Sequence, residues 1–294
     1  MNPEPRFLDV QCCTPAGLHR LAYTEWGDAD NPRVLICAHG LARVGRDFDD
    51  LARALSDHYR VVCPDMPGRG RSDWLPDPML YQVPVYVADV VTLIARLQPQ
   101  ILHWFGTSMG GVIGMGLASL AGTPISRLIL NDVGPVIAGA ALQRIGQYLG
   151  QPIRFASEQE AEAYIRVVSA PFGPLTDAQW RQLTVTAIRP AGEAVGGGFV
   201  LHYDPAIAAP FRLAGKNGAY ADQLMWDFYD KIACPTLAVR GALSDLLSRD
   251  THAEMGRRGP HAELVEIAGV GHAPAFMSAE QIDIAREFLL RGNA

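Results

Sequence analysis

The chain has 294 residues, of which 49% are hydrophobic and 19% are charged. This length and composition allow a substantial core, so we exclude an intrinsically disordered protein and expect a large α/β domain with an insertion or two ordinary domains. The 25 basic and 31 acidic side chains give a formal net charge of −6. Because this balance is acidic and no basic run occurs, we expect no binding to nucleic acid or to an anionic membrane.

Neither a membrane span nor a secretory signal is indicated. No apolar stretch approaches the ~20 residues that cross a bilayer, and the N-terminus lacks a basic start followed by an apolar run. The cysteine count is odd and the spacing fits no zinc motif; the five are Cys12, Cys13, Cys37, Cys63 and Cys234. We therefore expect reduced thiols and a cytoplasmic protein.

The first part of the chain alternates β-rich runs with helical patterns. The later strands are continuous apolar runs, typical of strands that helices cover on both faces. This alternation predicts a mostly parallel sheet, and the turn residues 14–17 predict that the first two strands form an antiparallel hairpin. The predicted strands are Phe7–Cys13, His19–Trp26, Val34–Ala38, Arg60–Pro64, Ile101–Gly106 and Arg127–Asn131, and the predicted helices are Arg46–His58, Val83–Leu97 and Met109–Ala121.

After Asp132 the pattern becomes helical, and the strand–helix alternation returns near Lys231. We predict an α/β core of residues 1–133 plus 232–294, interrupted by a helical insertion of residues 134–231. The helices expected in the insertion are Ala140–Leu149, Ser157–Val168, Asp177–Ile188 and Asp222–Tyr229. The core then continues with strands Pro235–Arg240 and Ala262–Ile267, and with helices Asp250–Gly256 and Ala279–Arg291.

Ser108 is a candidate nucleophile because it lies in Gly106-Thr107-Ser108-Met109-Gly110, which fits the pattern Gly-x-Ser-x-Gly. An apolar run before it predicts a strand, and small residues after it predict a helix. A sharp strand-to-helix turn strains the serine backbone and requires flanking glycines, since a Cβ would clash there. The turn exposes the hydroxyl at a helix N-terminus, which stabilises negative charge.

A serine hydroxyl is a weak nucleophile without a base that an acid orients. His272 is the candidate base, because it lies in a loop between a predicted strand and the last helix. Asp245, a short loop beyond the strand Thr236–Arg240, is our candidate for the acid. Asp132, which directly follows the strand Leu128–Asn131, is the alternative, and its other interpretation is a turn aspartate.

These segments together resemble the α/β-hydrolase fold superfamily over the whole predicted core. They occur in the family's chain order of nucleophile, acid and base. The resemblance implies an eight-stranded, mostly parallel sheet with helices on both faces and a helical cap inserted after the sixth strand. The fold alone does not specify a substrate. The matching segments are His39-Gly40, Asp65-Met66-Pro67-Gly68-Arg69-Gly70-Arg71-Ser72, the serine turn, Arg240-Gly241 with Asp245, and Gly271-His272.

The resemblance also implies an oxyanion hole formed by the backbone N–H groups of Leu41 and Met109. His39 would anchor the loop that carries Leu41, without a part in the chemistry. Asp65 and residues 69–72 would form a hydrogen-bonded turn beneath the site.

Substrate-binding residues are less well defined by the sequence. Arg43 lies near the expected oxyanion loop, where it would pair with a substrate carboxylate or, alternatively, with Asp47 one helical turn away. The insertion is rich in aromatic side chains that would shelter an apolar pocket. Trp226, Phe228 and Tyr229, close to the return into the core, are the expected pocket residues.

We expect no cofactor and no metal, because zinc-binding spacings are lacking and no Gly-x-Gly-x-x-Gly opens a helix after the first strand. The main hypothesis is a serine hydrolase that cleaves a small or medium carboxylic ester or thioester through an acyl-enzyme on Ser108. The expected partner is a small-molecule substrate, and the sequence does not indicate an oligomeric state. An enol-lactonase or C–C bond hydrolase with the same triad is an alternative, as is a ligand-binding receptor that retains the fold.

Overall fold

The computed structural model describes residues 4–192, 196–215 and 222–292. The first strands are β1 (Arg6–Thr14), β2 (Gly17–Trp26), β3 (Arg33–Ala38), β4 (Arg60–Pro64), β5 (Ile101–Thr107) and β6 (Ile125–Asn131). Five short strands follow, β7 (Val136–Ile137), β8 (Arg154–Phe155), β9 (Ile188–Pro190), β10 (Phe199–Leu201) and β11 (Gln223–Leu224), and then β12 (Thr236–Gly241) and β13 (Glu263–Ile267).

The helices are α1 (Asp49–Leu55), α2 (Val83–Leu97), α3 (Met109–Ala118), α4 (Gly139–Tyr148), α5 (Glu158–Val168), α6 (Asp177–Ala187), α7 (Ala209–Gly215), α8 (Trp226–Tyr229), α9 (Arg249–Met255) and α10 (Ala279–Leu290). In the part of the chain that the structure describes, no helix is long and apolar enough to cross a membrane.

Eight strands form the central sheet in the order β1-β2-β4-β3-β5-β6-β12-β13. β2 runs antiparallel to β1 and β4, and every other neighbouring pair in this sheet is parallel. Helices α2, α3 and α9 contribute to the apolar cluster on one face, and α1 and α10 to the cluster on the other. Successive residues of β3 alternate between the two clusters, as the period of a strand requires. The α/β-hydrolase fold and the antiparallel hairpin expected from the sequence are confirmed.

The elements between β6 and β12 do not join the central sheet. Their short strands pair as β8-β10-β9 and β11-β7. The sequence indicated no strands here, because two or three residues are too few to show an alternating pattern. The helix expected at Asp222–Tyr229 is shorter in the structure, where β11 precedes α8.

The turn between β5 and α3 depends on close approaches of its glycines. Ser108 has φ 53° and ψ −117°, a backbone conformation that residues other than glycine rarely adopt. A Cβ on Gly106 would overlap the carbonyl of Gly110, and a Cβ on Gly110 would overlap the carbonyl of Ala38 at the end of β3. These contacts press the start of α3 against β3 and hold Ser108 at the sheet edge.

His39 fastens the loop after β3. Its side chain is buried, Nδ1 lies 2.6 Å from the carbonyl oxygen of Gly40, and Nε2 accepts from the backbone N–H of Met66 at 2.9 Å. Because Nε2 is an acceptor, the ring is neutral and Nδ1–H donates to Gly40. Burial lowers the pKa of His39 to about 3. His39 thus has the anchoring position expected from the sequence.

A pair of substitutions in α3 tests the close approach. Gly110→Ala should lower the free energy of unfolding by about 2 kcal/mol or more, because the two atoms nearest to the new Cβ are the backbone carbonyl oxygen and carbon of Ala38. Gly116→Ala is the matched control, since its Cβ would lie 3.6 Å from Val87 Cγ2, an ordinary contact. That variant should be neutral or up to ~1 kcal/mol more stable. Urea unfolding measures both, and equal stability of the two variants would contradict the packing.

A second pair tests the neutral state of His39. In the unfolded chain its pKa is near the ordinary 6.5, whereas the folded value is about 3. Protons therefore favour the unfolded wild type as the pH falls below 6.5. His39→Gln should be less stable than wild type at pH 7, and the difference should shrink by up to ~1.4 kcal/mol per pH unit towards pH 4. Exposed His58→Gln is the control; a constant difference for His39→Gln would refute the assignment.

Candidate active site

Ser108, His272 and Asp132 form a continuous hydrogen-bonded chain at the edge of the central sheet. His272 Nε2 lies 2.9 Å from Ser108 Oγ, and His272 Nδ1 lies 2.7 Å from Asp132 Oδ2. Ser108 follows β5, Asp132 follows β6, and His272 lies in the loop between β13 and α10. The side chain of His272 is 17% exposed and that of Asp132 is fully buried.

The surroundings of Asp132 determine how the imidazole is protonated. Its Oδ1 accepts from the backbone N–H of Gly241 at 2.8 Å, and its Oδ2 accepts from Ser244 Oγ at 2.6 Å. An ionised carboxylate only accepts hydrogen bonds, so the proton of a neutral imidazole lies on Nδ1. Nε2 is then free to accept the proton of the Ser108 hydroxyl. The arrangement can therefore activate this oxygen as a nucleophile.

The expectation that Asp245 contacts His272 is wrong. Asp245 instead pairs with Arg144, at 2.8 Å between Oδ2 and Nε, and its side chain is 54% exposed. The end of β12 lies beside that of β6, but the loop after β12 carries Asp245 outwards and brings Ser244 against Asp132. The weaker sequence candidate, Asp132, is the partner of His272 because no intervening loop displaces it from its strand end.

The loop of Gly40 and Leu41 lies against Ser108. A Cβ placed on Gly40 would lie 3.7 Å from Ser108 Cβ. Within the described residues, the backbone N–H groups of Leu41 and Met109 donate to no backbone oxygen. Their position beside the hydroxyl agrees with the expected oxyanion hole, which stays a prediction.

Arg69 contacts both Leu41 and Met109 through its guanidinium group. The side chain is fully buried. Its Nε donates to the carbonyl of Leu41 at 2.8 Å, Nη1 donates to Pro67 O and Tyr86 Oη, and Nη2 lies 3.6 Å from Met109 Sδ. One guanidinium therefore connects the two segments that flank Ser108. Sequence analysis placed Arg69 in a supporting turn and gave no signal for these particular contacts.

The rest of that turn also has the supporting role expected for it. Asp65 is buried and accepts from the backbone N–H groups of Gly45 at 2.7 Å and Arg71 at 3.0 Å. Ser72 Oγ donates to the carbonyl of Asp65 and accepts from the N–H of Ala22. Burial raises the pKa of Asp65 to about 6.

The same turn makes main-chain contacts with the inserted segment. The backbone N–H of Gly70 donates to His202 O at 2.9 Å, and the N–H of Asp204 donates to Gly68 O at 2.7 Å. These two hydrogen bonds join the core and the segment near β10, far along the chain from either end of the segment.

A cavity of about 450 Å³ lies over Ser108 and His272. This volume falls within the ~300–1,000 Å³ typical of small-molecule sites. Core residues of the loop after β3 form part of its wall, and the inserted segment forms much of the rest. Apolar and aromatic residues of that wall include Tyr148, Leu149, Tyr164, Phe172, Leu201 and Tyr203.

Arg43 lines this cavity but is held by Asp47. Its Nε and Nη2 lie 2.6 and 2.8 Å from the two carboxylate oxygens, and Nη2 also contacts Leu183 O at 3.4 Å. The two side chains are only 13% and 17% exposed. The structure thus agrees with the Asp47 alternative for Arg43.

The prediction that Trp226, Phe228 and Tyr229 line the pocket is wrong. None of them is among the described residues that form the cavity wall. Tyr229 is fully buried and donates its hydroxyl to Met255 O at 2.7 Å, whereas Phe228 is 50% exposed. α8 contacts α3, so its buried side chains fill the core. The aromatic wall comes instead from earlier parts of the insertion, which the chain order did not indicate.

One group of possible metal ligands lies away from the cavity. Potential ligand atoms of Cys12, His19 and Asp89 lie within 4.8 Å of one another, and all three residues are buried. His19 Nε2 is 3.0 Å from Asp89 Oδ2. Burial raises the pKa of Cys12 to about 12, which favours the thiol over the metal-binding thiolate. These contacts describe a hydrogen-bonded core cluster.

Comparisons with known proteins agree with this architecture. The Alpha/beta hydrolase family profile matches residues 35–284. A 3-hydroxybutyrate-oligomer hydrolase of Cupriavidus necator is 54% identical over 289 residues, covering 98% of this chain and 99% of that protein. A pimeloyl-acyl-carrier-protein methyl ester esterase of Aeromonas salmonicida is 26% identical over 265 residues, covering 87% and 94% of the two chains.

A solved structure extends the comparison to three dimensions. The crystal structure of an α/β hydrolase from Novosphingobium aromaticivorans has a TM-score of 0.83 and 35% identity, and the match covers 98% of this chain and 99% of that chain. Because the family profile covers most of the sequence and the match to the Cupriavidus necator protein spans nearly both chains, this chain belongs to the α/β hydrolase family.

Proposed function

We propose that the protein is a carboxylic ester hydrolase that acts through an acyl-enzyme on Ser108. The observation that carries the proposal is the hydrogen-bonded chain from Ser108 through His272 to Asp132. The inserted residues 134–231 act as a cap, because several of their side chains line the cavity over the hydroxyl.

In the first half-reaction, Ser108 Oγ attacks the ester carbonyl carbon and its proton passes to His272 Nε2. The carbonyl oxygen becomes an oxyanion, which accepts hydrogen bonds from the N–H groups of Leu41 and Met109. Asp132 stabilises the imidazolium and keeps its orientation. The ester C–O bond then breaks, the imidazolium returns the proton to the leaving oxygen, and an alcohol departs.

The second half-reaction repeats these steps with water. His272 removes a proton from a water molecule, which attacks the acyl carbon. The bond to Ser108 Oγ breaks, the serine oxygen regains a proton from the imidazolium, and a carboxylic acid is released. The net reaction adds one water to one ester bond, and no other reactant is needed.

The substrate class proposed is an oligomer of 3-hydroxybutyrate. The support is the 54% identity to a 3-hydroxybutyrate-oligomer hydrolase over nearly the full length of both proteins. Each such substrate contains ester bonds between short hydroxyacyl units, and the mainly apolar cavity wall suits their methyl and methylene groups. Hydrolysis of a dimer by the steps above yields two molecules of the monomer.

Substitution of the two aspartates distinguishes the candidate acids. Asp132→Asn should reduce kcat for 4-nitrophenyl butyrate by about 10³- to 10⁴-fold, because an amide favours the wrong imidazole tautomer. Asp245→Asn should retain kcat within a few-fold, since Asp245 does not contact His272. Steady-state kinetics measure both, and the reverse pattern would restore Asp245 as the acid. Ser108→Ala, with an expected loss of ~10⁴-fold or more, is the reference for an absent nucleophile.

The substrate assignment is tested with purified enzyme. The 3-hydroxybutyrate dimer should be converted completely to monomer, at a kcat/KM at least about 10-fold above that for 4-nitrophenyl butyrate, as quantified by liquid chromatography. Butyryl thioester and an enol-lactone serve as comparison substrates. If the enzyme cleaves the simple esters but not the dimer, it is an esterase with a different substrate specificity. If a fluorophosphonate probe fails to label Ser108 and no ester is cleaved, the hydrolase proposal is wrong and the ligand-binding receptor is the alternative that stands.

A further inference from the structure

We propose that Arg144 binds the terminal carboxylate of the substrate, which takes the place of the Asp245 carboxylate on the guanidinium. This inference rests on the proposed function and names the residue that selects acidic oligomers over neutral esters.

Arg144 and Asp245 form an ion pair in the wall of the cavity over Ser108. Arg144 lies on α4 of the inserted segment, and Asp245 lies in the core loop after β12; both form part of the cavity wall. Arg144 Nε is 2.8 Å from Asp245 Oδ2, and Nη2 is 3.0 Å from Oδ1. The guanidinium is thus already arranged for two-point contact with a carboxylate.

The pair is open to exchange with another anion. The side chains of Arg144 and Asp245 are 44% and 54% exposed. An ion pair in contact with water contributes little to stability, so breaking it is not a large obstacle. Because an incoming carboxylate has the same charge and geometry as the one displaced, Arg144 does not become unpaired during the exchange.

Arg43, the other arginine in the described cavity wall, is much less available. Both of its carboxylate contacts go to Asp47, the two side chains are mostly buried, and a further contact joins it to Leu183 O. Binding a substrate carboxylate there would require a shielded pair to separate. The difference in exposure therefore favours Arg144.

The chemistry of the substrate matches this site. An oligomer of 3-hydroxybutyrate ends in one free carboxylate, whereas its ester units are neutral. Among the described residues of the cavity wall, Arg144 is the exposed arginine, and the apolar residues beside it can hold the neutral part of the substrate. Asp245 neutralises the cation in the absence of substrate and competes with the substrate for it.

The experiment compares the 3-hydroxybutyrate dimer with its methyl ester at the free carboxyl group, which lacks the charge and carries a second ester bond. Cleavage of the ester bond between the two hydroxyacyl units is followed in both, through release of methyl 3-hydroxybutyrate from the methyl ester. Arg144→Gln should raise KM for the dimer by about 5- to 10-fold and leave KM for the methyl ester within about 2-fold, because the two-point ion pair that it removes is in contact with water. Arg144→Lys should give an intermediate KM, because it keeps the charge but not the planar fork. Asp245→Asn should lower KM for the dimer several-fold by removing the competing carboxylate.

Arg249→Gln is the matched control. Arg249 is an exposed arginine that pairs with Glu266 outside the cavity, so both KM values should stay at the wild-type level. Equal changes for dimer and methyl ester in Arg144→Gln would show a general packing effect and would overturn the proposal. An unchanged KM for the dimer would overturn it as well.

A second measurement separates this inference from the proposed substrate. 3-Hydroxybutyrate itself should inhibit hydrolysis of 4-nitrophenyl butyrate competitively, with an inhibition constant about 5-fold or more higher in Arg144→Gln. If wild type leaves the dimer intact but shows this dependence, the oligomer substrate is wrong and the carboxylate site stands. If wild type cleaves the dimer and the inhibition constant does not change in the variant, the oligomer substrate stands and Arg144 is not the carboxylate site.

Discussion

The site depends on the parallel register of neighbouring strands, because their carboxyl ends meet at one edge of the sheet. β5, β6 and β12 lie side by side, so Ser108 and Asp132 emerge next to each other. His272 joins them although it is 140 positions from Asp132 and 164 from Ser108. The order and register of the strands therefore determine the geometry of the site, and no local segment does so alone. The backbone contacts of Gly110 with β3 connect the strained serine turn to the same register.

Features that depend on local sequence could be predicted well. Apolar runs identified the strands of the central sheet, and the glycines around Ser108 identified the turn, because each signal lies within a few residues of what it specifies. The order of segments along the chain then indicated the fold family. His39 also follows this rule, since its contacts are to the loops at the ends of adjacent strands.

Features that depend on how loops leave the sheet could not be predicted in the same way. Asp132 and Asp245 follow neighbouring strands, and the sequence does not indicate whether the loop after β6 or the loop after β12 brings its aspartate to His272. In the structure Ser244 turns inwards, and Asp245 pairs with Arg144 in the cavity wall. The residues of the cavity wall could not be predicted for the same reason. Aromatic residues occur throughout the insertion, and only tertiary packing separates Tyr148 and Tyr164 at the cavity from Tyr229 in the core.

The three hydrogen-bonded side chains of Ser108, His272 and Asp132 all come from the core, whereas much of the cavity wall comes from the insertion. The hydrogen bonds of Gly70 with His202 and of Gly68 with Asp204 attach this insertion to the turn that carries Arg69, and the N–H of Gly271, next to His272, donates to Pro171 O at 2.7 Å. Because these bonds reach backbone groups of the core on two sides of Ser108, a substitution that displaces the insertion would also displace the segments that position Arg69 and His272.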